Sequence, residues 1–307
     1  MNDACGGGIA VIIPTWNGEA HLRRQLPALS AQRRQPDVII VIDSSSRDGT
    51  AAMAEAHGCT VRVIPQREFN HGGTRNVAAG LVPPGIGTFV FLTQDALPED
   101  PGFLEYLTAP IARGEAQATY ARQLPYPGAT PPEVFARAFN YPPEPHLRTA
   151  ADIPALGLRA FFFSNVASAV DRATFDRVGG FPGDVIMNED MVLCARILAA
   201  GGTVAYAADA CVRHSHDYTL AQQFRRYFDI GAFLSTSDLV GGRVGGHGAS
   251  FALGQLRWCW ANGARGWIPR CIVESGLKLI AVNVGKRQRW LPSWLKRRLS
   301  MHAFHWR

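Results

Sequence analysis

Residues 8–50, GIAVIIPTWNGEAHLRRQLPALSAQRRQPDVIIVIDSSSRDGT, decide the fold class, because they run through a strand, a helix and a second strand. The apolar, β-rich opening closes at Pro14 and the turn pair Asn17-Gly18, so it reads as a buried strand. Leu22, Leu26 and Leu29 then recur at helical spacing. DVIIVID repeats the apolar run, opens into the polar SSSRDG, and Asp48-Gly49-Thr50 begins a second helix.

Working outward, the same alternation continues. TVRVIPQ reads as a third strand, REFNHGG as its loop, a helix follows near TRNVAAGL, and GTFVFLTQD is a fourth strand. Strands alternating with helices imply a parallel, doubly wound α/β sheet, whose binding crevice lies at the carboxyl ends of its strands. Residues 123–155 are rich in proline, which argues against a long regular element and for an excursion on the acceptor side. RAFFFSNVASAV is expected to return as a strand, followed by a helix at DRATFDRVGG. In NEDMVLCARILAAGG, Asn188 is the expected cap, and Glu189 and Asp190 fall in the first helical turn, where the helix dipole favours negative charge. TVAYAADACVRHSH is a further strand, leading to His214 and His216.

Composition narrows the class. With 307 residues, 47% hydrophobic and 18% charged, the chain can bury one large core or two modest ones. No run approaches the roughly 20 apolar residues of a membrane-spanning helix. The opening MNDACGGGIAVIIPTWNG lacks the basic flank and cleavage site of a secretory leader, so a cytoplasmic location is expected. Cys5, Cys59, Cys194, Cys211, Cys259 and Cys271 lie far apart with no Cys-x-x-Cys pair, which suggests neither a zinc ribbon nor a disulfide framework. Charge is uneven: residues 270–307 hold nine basic groups against Glu274 alone, a local +8, so of the net +6 the rest of the chain carries −2.

Collected, the strand ends offer Asp43, Arg75, Asn76, Asp95, Glu189, Asp190 and the two histidines. Acids and imidazoles around one crevice suit a metal-chelated phosphate ester and the abstraction of a proton beside it. The chain resembles family 2 glycosyltransferases of the GT-A fold, over roughly residues 9 to 235. VIIPTWNG is similar to that family's opening strand and nucleotide loop, VIDSSSRDGT to its second acidic element, GGTRNVAAG to its A-R-N-x-G region and NED to its catalytic acid pair. FNHGGTRN, LTQDA, FFFSNVASA, HSHDYTLAQQFRRYFDIG and LPSWLKRRLSMH resemble the bacterial rhamnosyltransferase subgroup.

The resemblance implies a mostly parallel doubly wound sheet with a nucleotide-sugar crevice, and an inverting transfer of a sugar, L-rhamnose from dTDP-L-rhamnose, to a hydroxyl of a glycan or lipid-linked acceptor in cell-surface polysaccharide synthesis. It implies Asp190 as catalytic base with Glu189 beside it. Thr15, Asn17, Asp43, Arg75, Asn76, Gln94 and Asp95 are the expected donor-binding residues, and Mg²⁺ or Mn²⁺ the cofactor, held by Asp95 and His214 in preference to His216. Two departures stand out: the family's Asp-x-Asp is Gln94-Asp95-Ala96 here, and the second acid after Asp43 is Ser44. One carboxylate with diphosphate oxygens, water and a histidine can still hold a hard cation. Each residue also has a plainer use. Asp43 can form the SSSRDG turn, Arg75 can pair with a nearby acid, His71 can bond its own loop, and both acids can simply favour a helix start.

Residues 1–235 are expected to form the GT-A domain and 236–307 a helical, basic C-terminal extension. There, Trp290, Leu291, Trp294, Leu295 and Leu299 alternate with arginines and lysines. That suits a peripheral site on the inner face of the cytoplasmic membrane, and equally an ordinary packed helical end with a solvated basic face. No nucleic-acid motif is present. Two rival classes remain: a sugar nucleotidyltransferase, which would want a glycine-rich basic loop after the first strand where PTWNGEAHL has one glycine and no lysine, and a non-catalytic nucleotide-sugar-binding protein.

Overall fold

A computed structural model describes residues 7–237 and 247–306. Cys5 and Arg307 lie outside the described residues. The described chain divides into two compact units, the first made of residues 7–124, 141–183 and 189–214, the second of 125–140, 184–188 and 215–237 with 247–306. The division is not the linear one expected at residues 235 and 236, because the chain leaves the first unit twice before it enters the second for good.

The first unit is built on nine strands: β1 Gly8–Thr15, β2 Val38–Asp43, β3 Thr60–Val63, β4 Ile86–Leu92, β5 Leu97–Pro98, β6 Ala118–Leu124, β7 His146–Arg148, β8 Ala167–Asp171 and β9 Val204–Arg213. They lie in the order β3-β2-β1-β4-β8-β6-β9-β5, with β7 paired to β9. β1, β2, β3, β4, β6 and β9 run parallel, while β8 inserts antiparallel between β4 and β6. The sheet is therefore mostly parallel, and the two short strands β5 and β7 also oppose β9.

Alternation along the central strands explains their continuous apolar runs. Ala10 and Ile12 of β1, Ile40 and Ile42 of β2 and Phe89 and Phe91 of β4 face one core; Ile9, Val11, Ile13, Val41, Val90 and Leu92 face the other. A strand covered on both faces has no polar side to display. On the first face lie α3 (His71–Ala79), α7 (Arg172–Arg177) and α8 (Glu189–Ala199), through Ala78, Phe175, Leu193 and Ile197. On the second lie α1 (Glu19–Ser30), α2 (Thr50–Ala56) and α4 (Phe103–Ala112), through Leu22, Leu26, Ala54, Phe103 and Leu107.

Two expectations fail locally. RAFFFSNVASAV is not one strand: residues 157–161 form a 3-10 turn and only Ala167–Asp171 joins the sheet. The buried polar pair Ser164 and Asn165 ends the aromatic run, Ser164 accepting from Gln123 and Asn165 donating to Glu189 through their side chains. The proline-rich stretch, expected to hold no long regular element, forms the ten-residue helix α5 (Pro131–Asn140). Pro131 and Pro132 sit in its first turn, where a missing amide hydrogen costs nothing.

The second unit is helical: α5, then α9 (Leu220–Thr236), α10 (His247–Ala261), α11 (Ile268–Lys286) and α12 (Ser293–Leu299), while the short α6 (Ile153–Leu156) belongs to the first unit. A capping box of Thr219 with Gln222 starts α9. α9 and α11 cross at glycines: a Cβ on Gly285 would fall 2.1 Å from the Phe228 carbonyl oxygen, and one on Gly231 2.3 Å from that of Val282. Phe135, Phe139, Phe251 and Trp258 pack α5 against α10.

Candidate active site

The carboxyl ends of β1, β2, β4, β6 and β9 share one edge of the sheet, and polar residues lie at or beside the last residues of each. Thr15 and Asp43 are register partners, and the Thr15 hydroxyl donates to Asp43 Oδ1 at 3.0 Å. The Ser46 amide and hydroxyl donate to the same carboxylate at 2.8 and 2.5 Å. Asp43 thus staples its own loop, as an Asx turn does. Asn17, in left-handed backbone at φ 47°, ties the first loop to the second: its amide donates to Ser46 Oγ at 2.8 Å and its Oδ1 accepts from the Arg47 amide at 2.9 Å. Gln94 ties in the third, accepting from the Trp16 amide at 2.9 Å and donating to the Trp16 carbonyl at 3.2 Å. An acid here would lack the amide hydrogens for that second bond.

Asp95 faces His214. Its Oδ2 is 3.4 Å from His214 Nε2, too long for a strong hydrogen bond. On the other side of the ring, Nδ1 lies 3.0 Å from Gln123 Oε1. Gln123 is buried, and its Nε2 donates to the Tyr141 hydroxyl at 2.6 Å and to Ser164 Oγ at 2.8 Å, so its oxygen faces the imidazole. Nδ1 is therefore the donor to Gln123, and Nε2 is the ring atom turned toward the carboxylate. Two ligand atoms each about 2.1 Å from one octahedral ion stand about 3 Å apart, so this pair fits a shared divalent cation.

The second acidic cluster sits where β8 begins. Thr93 of the β4 loop donates its amide to the Val166 carbonyl at 3.1 Å, and the neighbouring Asn165 reaches both acids of α8. Its amide donates to Asp190 Oδ2 at 3.2 Å and its Nδ2 to Glu189 Oε1 at 3.2 Å. Residues 164–166 thus connect the Asp95–His214 pair to the acid pair within one unit. Glu189 is buried and ion-paired with the buried Arg75 at 3.1 Å. Burial opposes its charge, but His71, Arg75, its own amide and Asn165 together hold its carboxyl below the ordinary value. Asp190 behaves oppositely. Burial first, and the Glu189 charge second, push its carboxyl up to about 7 against the amides of Asn165 and Met191 and the more distant Arg75. Asn188, at the expected cap position, adopts left-handed φ 60°, which asparagine tolerates and which turns the chain into α8.

A family model described as glycosyltransferase like family 2 matches residues 6–228. The chain belongs to that family. As a family 2 glycosyltransferase it has near-full-length relatives: the O-antigen chain rhamnosyltransferase WbaN of Salmonella anatum is 38% identical over 96% of this chain and 95% of its own length. RfbN of Salmonella typhimurium, of the same description, is 37% identical over 97% and 96%. The fold is that of solved GT-A enzymes. A mannosyltransferase from Pyrobaculum calidifontis, in complex with GDP-Man and Mn2+, superposes with TM-score 0.65 at 17% identity, covering 93% of this chain and 88% of that one. TarS residues 1–349 of S. aureus gives 0.55 at 16%, covering 96% and 83%.

The glycosyltransferase places the remaining expected residues as follows. Arg75 points inward, its Nη1 donating to the His71 carbonyl at 2.7 Å as well as to Glu189. Asn76 donates to the Phe181 carbonyl at 2.8 Å and accepts its amide at 3.0 Å, holding the Gly179-Gly180 turn against α3. Gly72 lies so close to that segment that a Cβ would fall 2.0 Å from the Pro182 carbonyl oxygen. His216 belongs to the second unit, where its amide meets Glu133 Oε1 at 3.3 Å and its ring stacks on Tyr218. Sequence reasoning assigned no role to Gln123, Ser164 or Asn165. The one available signal was a polar Ser-Asn pair breaking the apolar run FFFSNVASA.

Proposed function

We propose that this chain transfers L-rhamnose from dTDP-L-rhamnose to a hydroxyl of a lipid-linked O-antigen acceptor, with inversion at the anomeric carbon. Near-full-length likeness at 38% identity to an O-antigen chain rhamnosyltransferase carries the reading. The opposed tendencies of Glu189 and Asp190 support its mechanism.

Asp190 is the base: a carboxylate whose pKa lies near the working pH accepts the acceptor's proton as the new bond forms. Glu189 stays ionised beside His71 and Arg75, and its like charge adds to the burial that raises the Asp190 pKa. Asn165 fixes the orientation of both. The loops of Thr15, Asn17, Asp43 and Gln94 are proposed to cradle the nucleotide, with Asp43 giving the second loop its shape. Asp95 and His214 would hold Mg²⁺ or Mn²⁺, which would supply positive charge to a departing diphosphate. The reaction is proposed at the cytoplasmic face of the membrane carrying the acceptor.

The test is incubation of the full chain with Mn²⁺, a lipid-linked oligosaccharide extract and a panel of radiolabelled nucleotide sugars. Label entering the lipid fraction from dTDP-L-rhamnose is expected. Transfer from another donor alone overturns the donor, and donor binding without transfer overturns the enzyme.

A further inference from the structure

Helix α11 buries the small residues Cys271, Ala281 and Gly285 with one acid, and leaves its large aliphatic residues exposed. Its buried side carries Glu274, ion-paired to Arg270 and Lys278, with Lys278 facing the rings of Tyr227 and Phe251. Its exposed side carries Ile272, Val273, Leu279 and Ile280, which fall within one arc of the helix. Beyond the helix end Trp290 lines one groove with Leu279 and Ile280, and Trp294 is exposed four residues on. These six side chains are between 51% and 73% exposed. Leu279, Ile280, Val284, Trp290 and Leu291 line a groove of about 650 Å³ with Arg287 among them. A helix of a soluble domain turns its large aliphatic residues inward, and an exposed apolar patch of this kind marks an interaction surface.

The charge around the patch says what covers it. Lys286, Arg287, Arg289, Arg297 and Arg298 are exposed, and no aspartate or glutamate occurs after Glu274. A two-fold contact with a second copy would set these cations against their own images with no acid to pair them. An anionic lipid surface answers both features, since aliphatic and indole groups enter the headgroup layer while basic groups meet phosphate. No helix among the described residues is long and apolar enough to cross a membrane.

We propose that the exposed face of α11, with the Trp290–Trp294 segment, is a membrane-docking surface that lies in the interface of an anionic bilayer. The proposal is independent of the donor and of the catalytic residues, and gives the second unit the task of holding the enzyme at the surface where a lipid-linked acceptor is found.

Flotation of the full chain with phosphatidylglycerol/phosphatidylethanolamine vesicles and with phosphatidylcholine vesicles tests it, alongside light scattering for self-association. Strong partition to the anionic vesicles, weakened by salt, is expected. Arg287→Gln with Arg289→Gln should weaken partition about 25-fold, at roughly fivefold per cation. Leu279→Ser with Ile280→Ser should weaken it at least tenfold, and both double variants should keep the wild-type melting temperature because all four positions are exposed. Brominated lipids should quench tryptophan fluorescence of the wild type and much less that of Trp290→Phe with Trp294→Phe. Equal binding to neutral vesicles, partition unaffected by all these changes, or self-association lost with Leu279→Ser/Ile280→Ser in a chain that ignores vesicles, would each overturn the proposal.

Discussion

Two carboxylates at the same edge of one sheet have opposite surroundings. Asp43, at the end of β2, is bonded by its register partner Thr15 and by Ser46 three residues on. Asp190, at the start of α8, is held by the Asn165 amide 25 residues away and stands beside a second acid that is ion-paired with Arg75. The first carboxylate has donors that fix a turn. The second is pushed toward a pKa at which it can gain and lose a proton. Two acids at one sheet edge thus differ through the long-range packing around each, more than through their places in the chain.

The sharpest way to break this contrast is Asp190→Asn. Transfer should fall about 10³-fold, within the usual range for loss of a general base, while dTDP stabilises the variant as it does the wild type. Near-normal turnover would remove the distinction between the two acids. Asp95→Ala or His214→Ala should weaken Mn²⁺ binding by about 100-fold in calorimetry, and unchanged Mn²⁺ affinity would take the Asp95–His214 pair out of the cation site. Gln123→Leu, which leaves His214 Nδ1 without its acceptor, should weaken Mn²⁺ by about tenfold at unchanged donor-loop integrity. Asp43→Ala should act mainly on stability, costing about 1–3 kcal/mol in urea unfolding because Thr15 and Ser46 lose their acceptor. If it abolished transfer at full stability, Asp43 would belong with the reacting groups.

Much of the fold was legible because local pattern and packing agree. The runs IAVII, VIIVI and FVFL are covered on both faces, so their lack of alternation is itself the mark of a central parallel strand. The insertion of β8 antiparallel between β4 and β6 was not legible, since nothing local fixes strand direction. Helix α5 was hidden by prolines that its first turn accommodates. At the site, the acids and His214 could be named from their places after strands. Their division of labour could not. Gln123 orients His214 across 91 residues, and Arg75 holds Glu189 across 114. Such pairings exist only once the chain is folded.

The pH dependence of a single turnover, with donor and acceptor saturating, tests the central claim most directly. A base whose pKa is raised to about 7 is protonated below that pH, so the rate should fall about tenfold per unit on the acid side and level off above. Glu189→Gln, which removes the neighbouring negative charge, should move that break to lower pH in whatever fraction remains folded. A rate that is flat from pH 5 to 8, or a break that ignores Glu189, would contradict the assignment of Asp190 as the group that takes the proton.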